Sequence, residues 1–180
     1  IEVLEIISGE GKEIERENIG HPEDGLPIGA PAPDFVLPDI NGKNVAFEHL
    51  LMQGKPLLFF FVSPNCNPCN ALIPEIKDWQ KTLGAKFNFV FVSSGDAKEN
   101  REKFGEVNAQ VLLEKEKQVS NEFSAIWTPT VILINSDGTI GSRNVVGDKA
   151  IRELFKKIKA ENLDKENFYI PTGENSLQKL

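Results

Sequence analysis

Cys66 and Cys69, the chain's two cysteines, frame the run Cys66-Asn67-Pro68-Cys69. Two thiols at this spacing can open and close a disulfide, supply half of a zinc site, or form a static cross-link. A static disulfide closing so short a loop adds little stability, which argues against the third use. A closed four-ligand zinc site would need more donors. There is no second cysteine pair, and the only histidines, His21 and His49, both lie upstream. Reversible redox chemistry is therefore the leading expectation.

Chemistry of that kind needs positioning, and the flanking sequence provides it. Pro56-Leu57-Leu58-Phe59-Phe60-Phe61-Val62 reads as a buried strand leading into the dithiol. After it, Leu72, Ile73, Ile76, Trp79 and Leu83 fall on one face of a helix. The cysteines thus sit at a strand-to-helix turn, where unpaired N–H groups and the helix dipole favour an anion. A thiolate is such an anion and is the reactive form of cysteine. The spacing lets one sulfur face solvent while the other sits deeper.

The remaining chain suggests one domain, spanning 27–163, with an extension at 1–26 and a tail at 164–180. Its 180 residues are 40% apolar, enough for one core. A net charge of −7 gives no support to general nucleic-acid binding. No apolar run approaches membrane-spanning length. The chain starts at Ile1 and its only methionine is Met52, so it reads as a mature or excised form, which leaves room for a removed signal or anchor.

Asp34 to Pro38 and Asn44 to Phe47 flank an Asn41-Gly42 turn, a hairpin signal. Glu48 to Met52 reads as one helical turn. Gly84 marks the end of the dithiol helix. Strands follow at 87–92, 110–113, 130–135 and 139–146, the last two joined by Ser136-Asp137-Gly138. Helices are expected at 97–104 and 117–123, and a last amphipathic helix carries Ile151, Leu154, Phe155 and Ile158. Phe168 and Tyr169 are candidates to dock the tail on the body.

This order resembles a thioredoxin-like domain. Pro74 matches the family's helix-kinking proline, and Thr128-Pro129 before a strand resembles its cis-proline loop. Ala32-Pro33-Asp34-Phe35 with Asn41-Gly42-Lys43 resembles the N-terminal signature of TlpA-like proteins and peroxiredoxins. Ser63-Pro64-Asn65-Cys66, followed by Leu72-Ile73-Pro74, is similar to the MauD-type proteins of methylamine dehydrogenase maturation. The resemblance implies an α/β fold with a central mixed sheet flanked by helices and an N-terminal β-hairpin. It implies a bacterial, extracytoplasmic, membrane-tethered thiol–disulfide oxidoreductase, acting on cysteines of a protein partner during cofactor or metalloprotein maturation. It makes Cys66 the attacking thiolate and Cys69 the resolving thiol. Asn67, Pro68, Trp127, Thr128 and Pro129 become the candidate substrate-binding residues. No cofactor beyond the redox-active disulfide and no metal is expected. The partners are a protein thiol or disulfide and an upstream electron donor or acceptor, and the protein itself is expected to be a monomer.

The chain departs from its relatives where they place acids. Six residues before the first cysteine stands Phe60, and three after the second stands Leu72, both apolar. Asn65 replaces the usual tryptophan before Cys66, and Trp127 stands where a small residue is frequent. Two alternatives compete. A peroxiredoxin-like peroxidase would use Ser63 beside Cys66, but Phe59 occupies the position of its activating proline. A copper or zinc carrier would use both thiolates, since soft ligands select Cu(I), but no histidine follows Cys69.

Overall fold

The computed structural model describes residues 24–163. The expectations for residues 1–23 and for the tail at 164–180, including Phe168 and Tyr169, lie outside the described residues. In chain order the elements are β1 (Val36–Pro38), β2 (Asn44–Ala46), α1 (Phe47–Leu51), β3 (Leu57–Val62), α2 (Asn67–Leu83) and β4 (Asn88–Ser93). Then come α3 (Ala97–Phe104), β5 (Gln110–Leu113), α4 (Gln118–Glu122), β6 (Thr130–Ile134), β7 (Val145–Val146) and α5 (Asp148–Leu163). None of the helices among the described residues is long and apolar enough to cross a membrane.

The main sheet runs β5-β4-β3-β6-β7. β3 lies at its centre, parallel to β4 and antiparallel to β6. Every residue of β3 is buried. That explains a run of Leu and Phe with no polar alternation, because both faces of the sheet are covered. On one face Leu58, Phe60 and Val62 meet α2, α3 and α5 through Leu72, Phe104 and Phe155. On the other, Leu57, Phe59 and Phe61 meet the β1–β2 hairpin, α1 and α4 through Phe35, Phe47 and Phe123. The hairpin turns at Gly42, whose φ of 84° is in the left-handed region that glycine adopts without a Cβ penalty.

Phe155 joins α5 to the rest of its layer. Its ring stacks on Trp79 of α2 at 4.0 Å and lies 5.9 Å from Phe60. Arg152 adds a polar clasp, pairing with Glu75 of α2 at 2.8 Å and Asp148 at 2.7 Å.

One expected strand is corrected. Residues 139–146 do not form a continuous strand: only Val145–Val146 pairs in register, with an isolated bridge at Ile140. The cause is Ser142. Its hydroxyl accepts the Leu133 N–H, so a side chain takes the place of a ladder carbonyl. Asn144 then turns away, donating from Nδ2 to the Ser124 carbonyl. In the preceding turn Thr139 donates side-chain and backbone hydrogen bonds to Asp137, holding its carboxyl below the ordinary value. The small stability this gives is present above the usual carboxylate range and is lost as pH falls through the lowered value.

Phe155→Ala should cost about 3–5 kcal/mol by emptying a buried aromatic site that touches three elements. Guanidinium unfolding is expected to show a lower midpoint at unchanged slope. A loss under about 1 kcal/mol would mean that α5 is held mainly by the Arg152 pairs.

Candidate functional site

The site is built where β3 ends. Ser63 accepts the Cys66 N–H through its carbonyl at 3.1 Å, closing a turn immediately after the strand. Cys66 is the N-cap of α2, and its sulfur accepts the Cys69 N–H at 3.1 Å. Asn67 and Pro68 occupy the first helical turn, where proline forfeits no intrahelical bond. Both are exposed. Gly95 closes in from the β4–α3 loop with φ 89°; a Cβ there would meet Pro64 at 3.0 Å.

Cys66 and Cys69 form a disulfide with a Cα–Cα distance of 5.2 Å. The two sulfurs differ in access. Cys66 is partly exposed, whereas Cys69 is 1% exposed and packs in the α2–α5 layer. Phe60 and Leu72, the positions where an acid was looked for, are both fully buried in that layer. The helix start favours a thiolate at Cys66. The apolar surroundings of Cys69 disfavour one there.

The segment before β6 faces the same place. The Thr128–Pro129 bond is cis. Thr128 lines a cleft of about 250 Å³ together with Cys66, and Pro129 is buried. Trp127 and Ile126 project into solvent, 53% and 48% exposed. The Trp127 carbonyl is fixed by the Thr130 hydroxyl at 2.7 Å. Trp127 is therefore no core residue. The structure brings Cys66 and Thr128 to one cleft, sets Asn67 and Pro68 at the start of α2, and keeps Cys69 beneath.

The sequence did not point to Glu114, which lines the same cleft. It follows β5 directly and is 2% exposed. Its Oε1 accepts the N–H groups of Val119 and Ser120 at 2.9 Å each, and its Oε2 accepts the Ser120 hydroxyl. The N-cap of α4, Lys117, makes no side-chain cap, so Glu114 takes over that duty. A larger open cleft of about 810 Å³ lies between the hairpin, the start of β5 and the end of α2, and contains neither cysteine. Among the described residues no three His, Cys, Asp or Glu side chains form a metal-holding group. Phe59 sits at the buried centre of β3, not in a turn that could hold a peroxide.

Comparison with known proteins agrees with this arrangement. The profile of the AhpC/TSA family matches residues 28–143. The thiol-disulfide oxidoreductase ResA of Bacillus subtilis (strain 168) is 30% identical over 122 residues, 66% of this chain and 67% of that protein. The methylamine utilization protein MauD of Paracoccus denitrificans is 38% identical over 77 residues, 43% of this chain and 38% of that protein. The chain thus spans only part of these relatives. Two solved structures share the fold. The thioredoxin domain of a thiol-disulfide oxidoreductase from Bacteroides vulgatus has a TM-score of 0.61 at 19% identity, covering 73% of this chain and 97% of that one. A secreted Mycobacterium tuberculosis disulfide oxidoreductase homologous to E. coli DsbE has a TM-score of 0.52 at 22% identity, covering 59% and 79%.

Mild reduction of the oxidised protein should release two thiols per chain, and alkylation should then label Cys66 well before Cys69. Peptide mapping after timed labelling reads the order. Equal labelling of both, or no gain of thiols, would contradict the burial difference between the two sulfurs.

Proposed function

Because the chain belongs to the AhpC/TSA family and is a thiol–disulfide oxidoreductase with a Cys66–Cys69 pair, we propose that Cys66 is its attacking sulfur and Cys69 its resolving one. The observation that carries this is the asymmetry of the pair, with one sulfur at the mouth of the cleft on a helix N-cap and the other beneath it. In the reductive direction the Cys66 thiolate attacks a partner disulfide. A Cys66–partner S–S bond forms and the partner's first sulfur leaves as thiolate. Cys69 then gives up its proton, to water or to the partner thiolate just released, and attacks Cys66. The Cys66–Cys69 bond forms, the second partner thiolate leaves, and two electrons have passed to the partner. The oxidative direction is the same sequence reversed. Which prevails depends on how the surroundings stabilise each redox form. The pair itself is the redox group, with no further cofactor and no metal.

The substrate is an extended protein segment carrying a cysteine, held across Thr128-Pro129 and flanked by Asn67, Pro68 and Trp127. Exposed Trp127 supports this, since a large aromatic in water offers contact area that the fold itself does not use. The protein works outside the cytoplasm of a bacterium as a monomer, on partners in cofactor or metalloprotein maturation. It takes electrons from, or passes them to, a second protein, and touches the membrane only through a segment outside this domain. Its bacterial relatives, one named a thiol-disulfide oxidoreductase and one a methylamine utilization protein, support exchange with a protein partner, and the structural neighbour described as secreted is consistent with work outside the cytoplasm.

A Cys69→Ser variant should accumulate mixed disulfides through Cys66, and Cys66→Ser should accumulate none. Trapping through Cys69 alone would reverse the roles. Insulin reduction with dithiothreitol should be lost in either single variant, and set beside Cu(I) titration it separates exchange from metal carriage. Trp127→Ala should slow insulin reduction roughly three- to tenfold while leaving reaction with a small aromatic disulfide unchanged. Equal slowing of both substrates would assign Trp127 to the sulfur chemistry instead of to the polypeptide.

A further inference from the structure

Glu114 is a buried acid that the exchange steps above do not use. It stands at the carboxyl end of β5, and Cys66 follows the carboxyl end of β3, with β4 between them. Parallel strands lie about 4.8 Å apart, so two strand spacings separate β3 from β5. Both residues line one cleft.

Capping α4 does not account for the charge. A glutamine could accept the Val119 and Ser120 N–H groups through its oxygen and donate its amide to the Ser120 hydroxyl. The same bonds would form with no anion buried. What glutamate adds is a buried negative charge on the lining of the cleft that the attacking sulfur shares. None of the cations among the described residues pairs with it. Lys117 also lines the cleft, from the start of α4, but it is exposed and its charge is screened by solvent. From α2 the opposing influence is the Cys69 N–H that donates to the Cys66 sulfur. The β4–α3 loop contributes Ser94 to the lining, and the 125–128 segment contributes Ala125 and Thr128, none of them charged. Asp96 and Glu99 of α3 do not line the cleft.

We propose that Glu114 is a positioning residue acting through Cys66: its buried carboxylate disfavours the Cys66 thiolate, making the dithiol a slower nucleophile and a stronger reductant than the helix start alone would make it. Like charges sharing a desolvated site oppose each other's ionisation. Thiolate stabilisation favours the reduced form, so withholding it leaves the electrons less tightly held. The inference rests on Cys66 being the attacking sulfur.

The test uses the full chain carrying Cys69→Ser, which leaves Cys66 as its one thiol. Iodoacetamide alkylation is followed from pH 5 to 10, with circular dichroism as the check on folding. Adding Glu114→Gln should lower the ionisation midpoint and speed alkylation at pH 7 roughly three- to tenfold, as half to one pKa unit implies. In the intact dithiol, Glu114→Gln should move the equilibrium with dithiothreitol toward the reduced form, by no more than the same factor. A purely structural cap would move neither the midpoint nor the equilibrium. A folded Glu114→Gln protein whose midpoint stays put or rises overturns the proposal. Should that variant not fold, Ser120→Ala decides: withdrawing the hydroxyl leaves the carboxylate less neutralised, so the Cys66 midpoint should rise, and an unmoved midpoint overturns the proposal equally. Alkylation needs no protein partner, so failure here is distinct from failure of the Cys69→Ser variant to trap one.

Discussion

A strand walled by apolar layers on both faces leaves its chain a single polar outlet, the end of the sheet. β3 is such a strand, and the site depends on it. Its register is held from both sides, parallel to β4 over six pairs and antiparallel to β6 over five. A one-residue slip would exchange the Phe60 layer for the Phe59 layer, and the partners of each ring are specific to its face. Phe60 meets Phe91 at 5.3 Å, while Phe59 meets Phe123 at 5.6 Å. Fixing β3 fixes Ser63, and Ser63 fixes the turn that delivers Cys66 to the start of α2.

Because β6 is the other neighbour of β3, the loop entering β6 arrives at the same end of the sheet as the loop leaving β3. That is why residues 62 positions apart in the chain, Cys66 and Thr128, share a cleft. β5 delivers Glu114 to the same end, since β3, β4 and β5 are parallel. The crevice at the carboxyl ends of a parallel sheet is where α/β proteins gather functional groups. Here it gathers a disulfide sulfur, the hydroxyl residues Ser63, Ser94, Ser120 and Thr128, and one buried acid.

The sequence was legible wherever one local pattern had one structural solution. The apolar run at 56–62, flanked by turn residues, had to be a covered strand, and the 3.6 periodicity after Cys66 had to be a helix packed on it. Helix α3 was read to the residue, because Asp96 caps it through the Glu99 N–H at 2.8 Å and Gly105 ends it. The 139–146 arm was misread for a physical reason. The Ser136-Asp137-Gly138 turn after β6 suits a returning strand, but the hydroxyl of Ser142 substitutes for a backbone acceptor, and composition does not reveal such an exchange. Glu114 was invisible for a different reason. It opens Glu114-Lys115-Glu116-Lys117, a run that looks uniformly solvated, and three of those four residues are indeed exposed. Only the strand pairing of β5, a contact between distant segments, turns the first of them inward.

The acid sought in the sequence and the acid found in the structure serve different sulfurs. An acid at Phe60 or Leu72 would lie in the α2–α5 layer, under Cys69. Glu114 lies in the open cleft with Cys66, while Cys69 remains in a wholly apolar layer. On the proposal made above, the two thiols are restrained by different physics, Cys66 by a like charge on its cleft and Cys69 by its packing among apolar side chains. A bound polypeptide alters the first restraint and not the second. It displaces water from the cleft and, once joined to Cys66, leaves that sulfur with no charge for Glu114 to oppose.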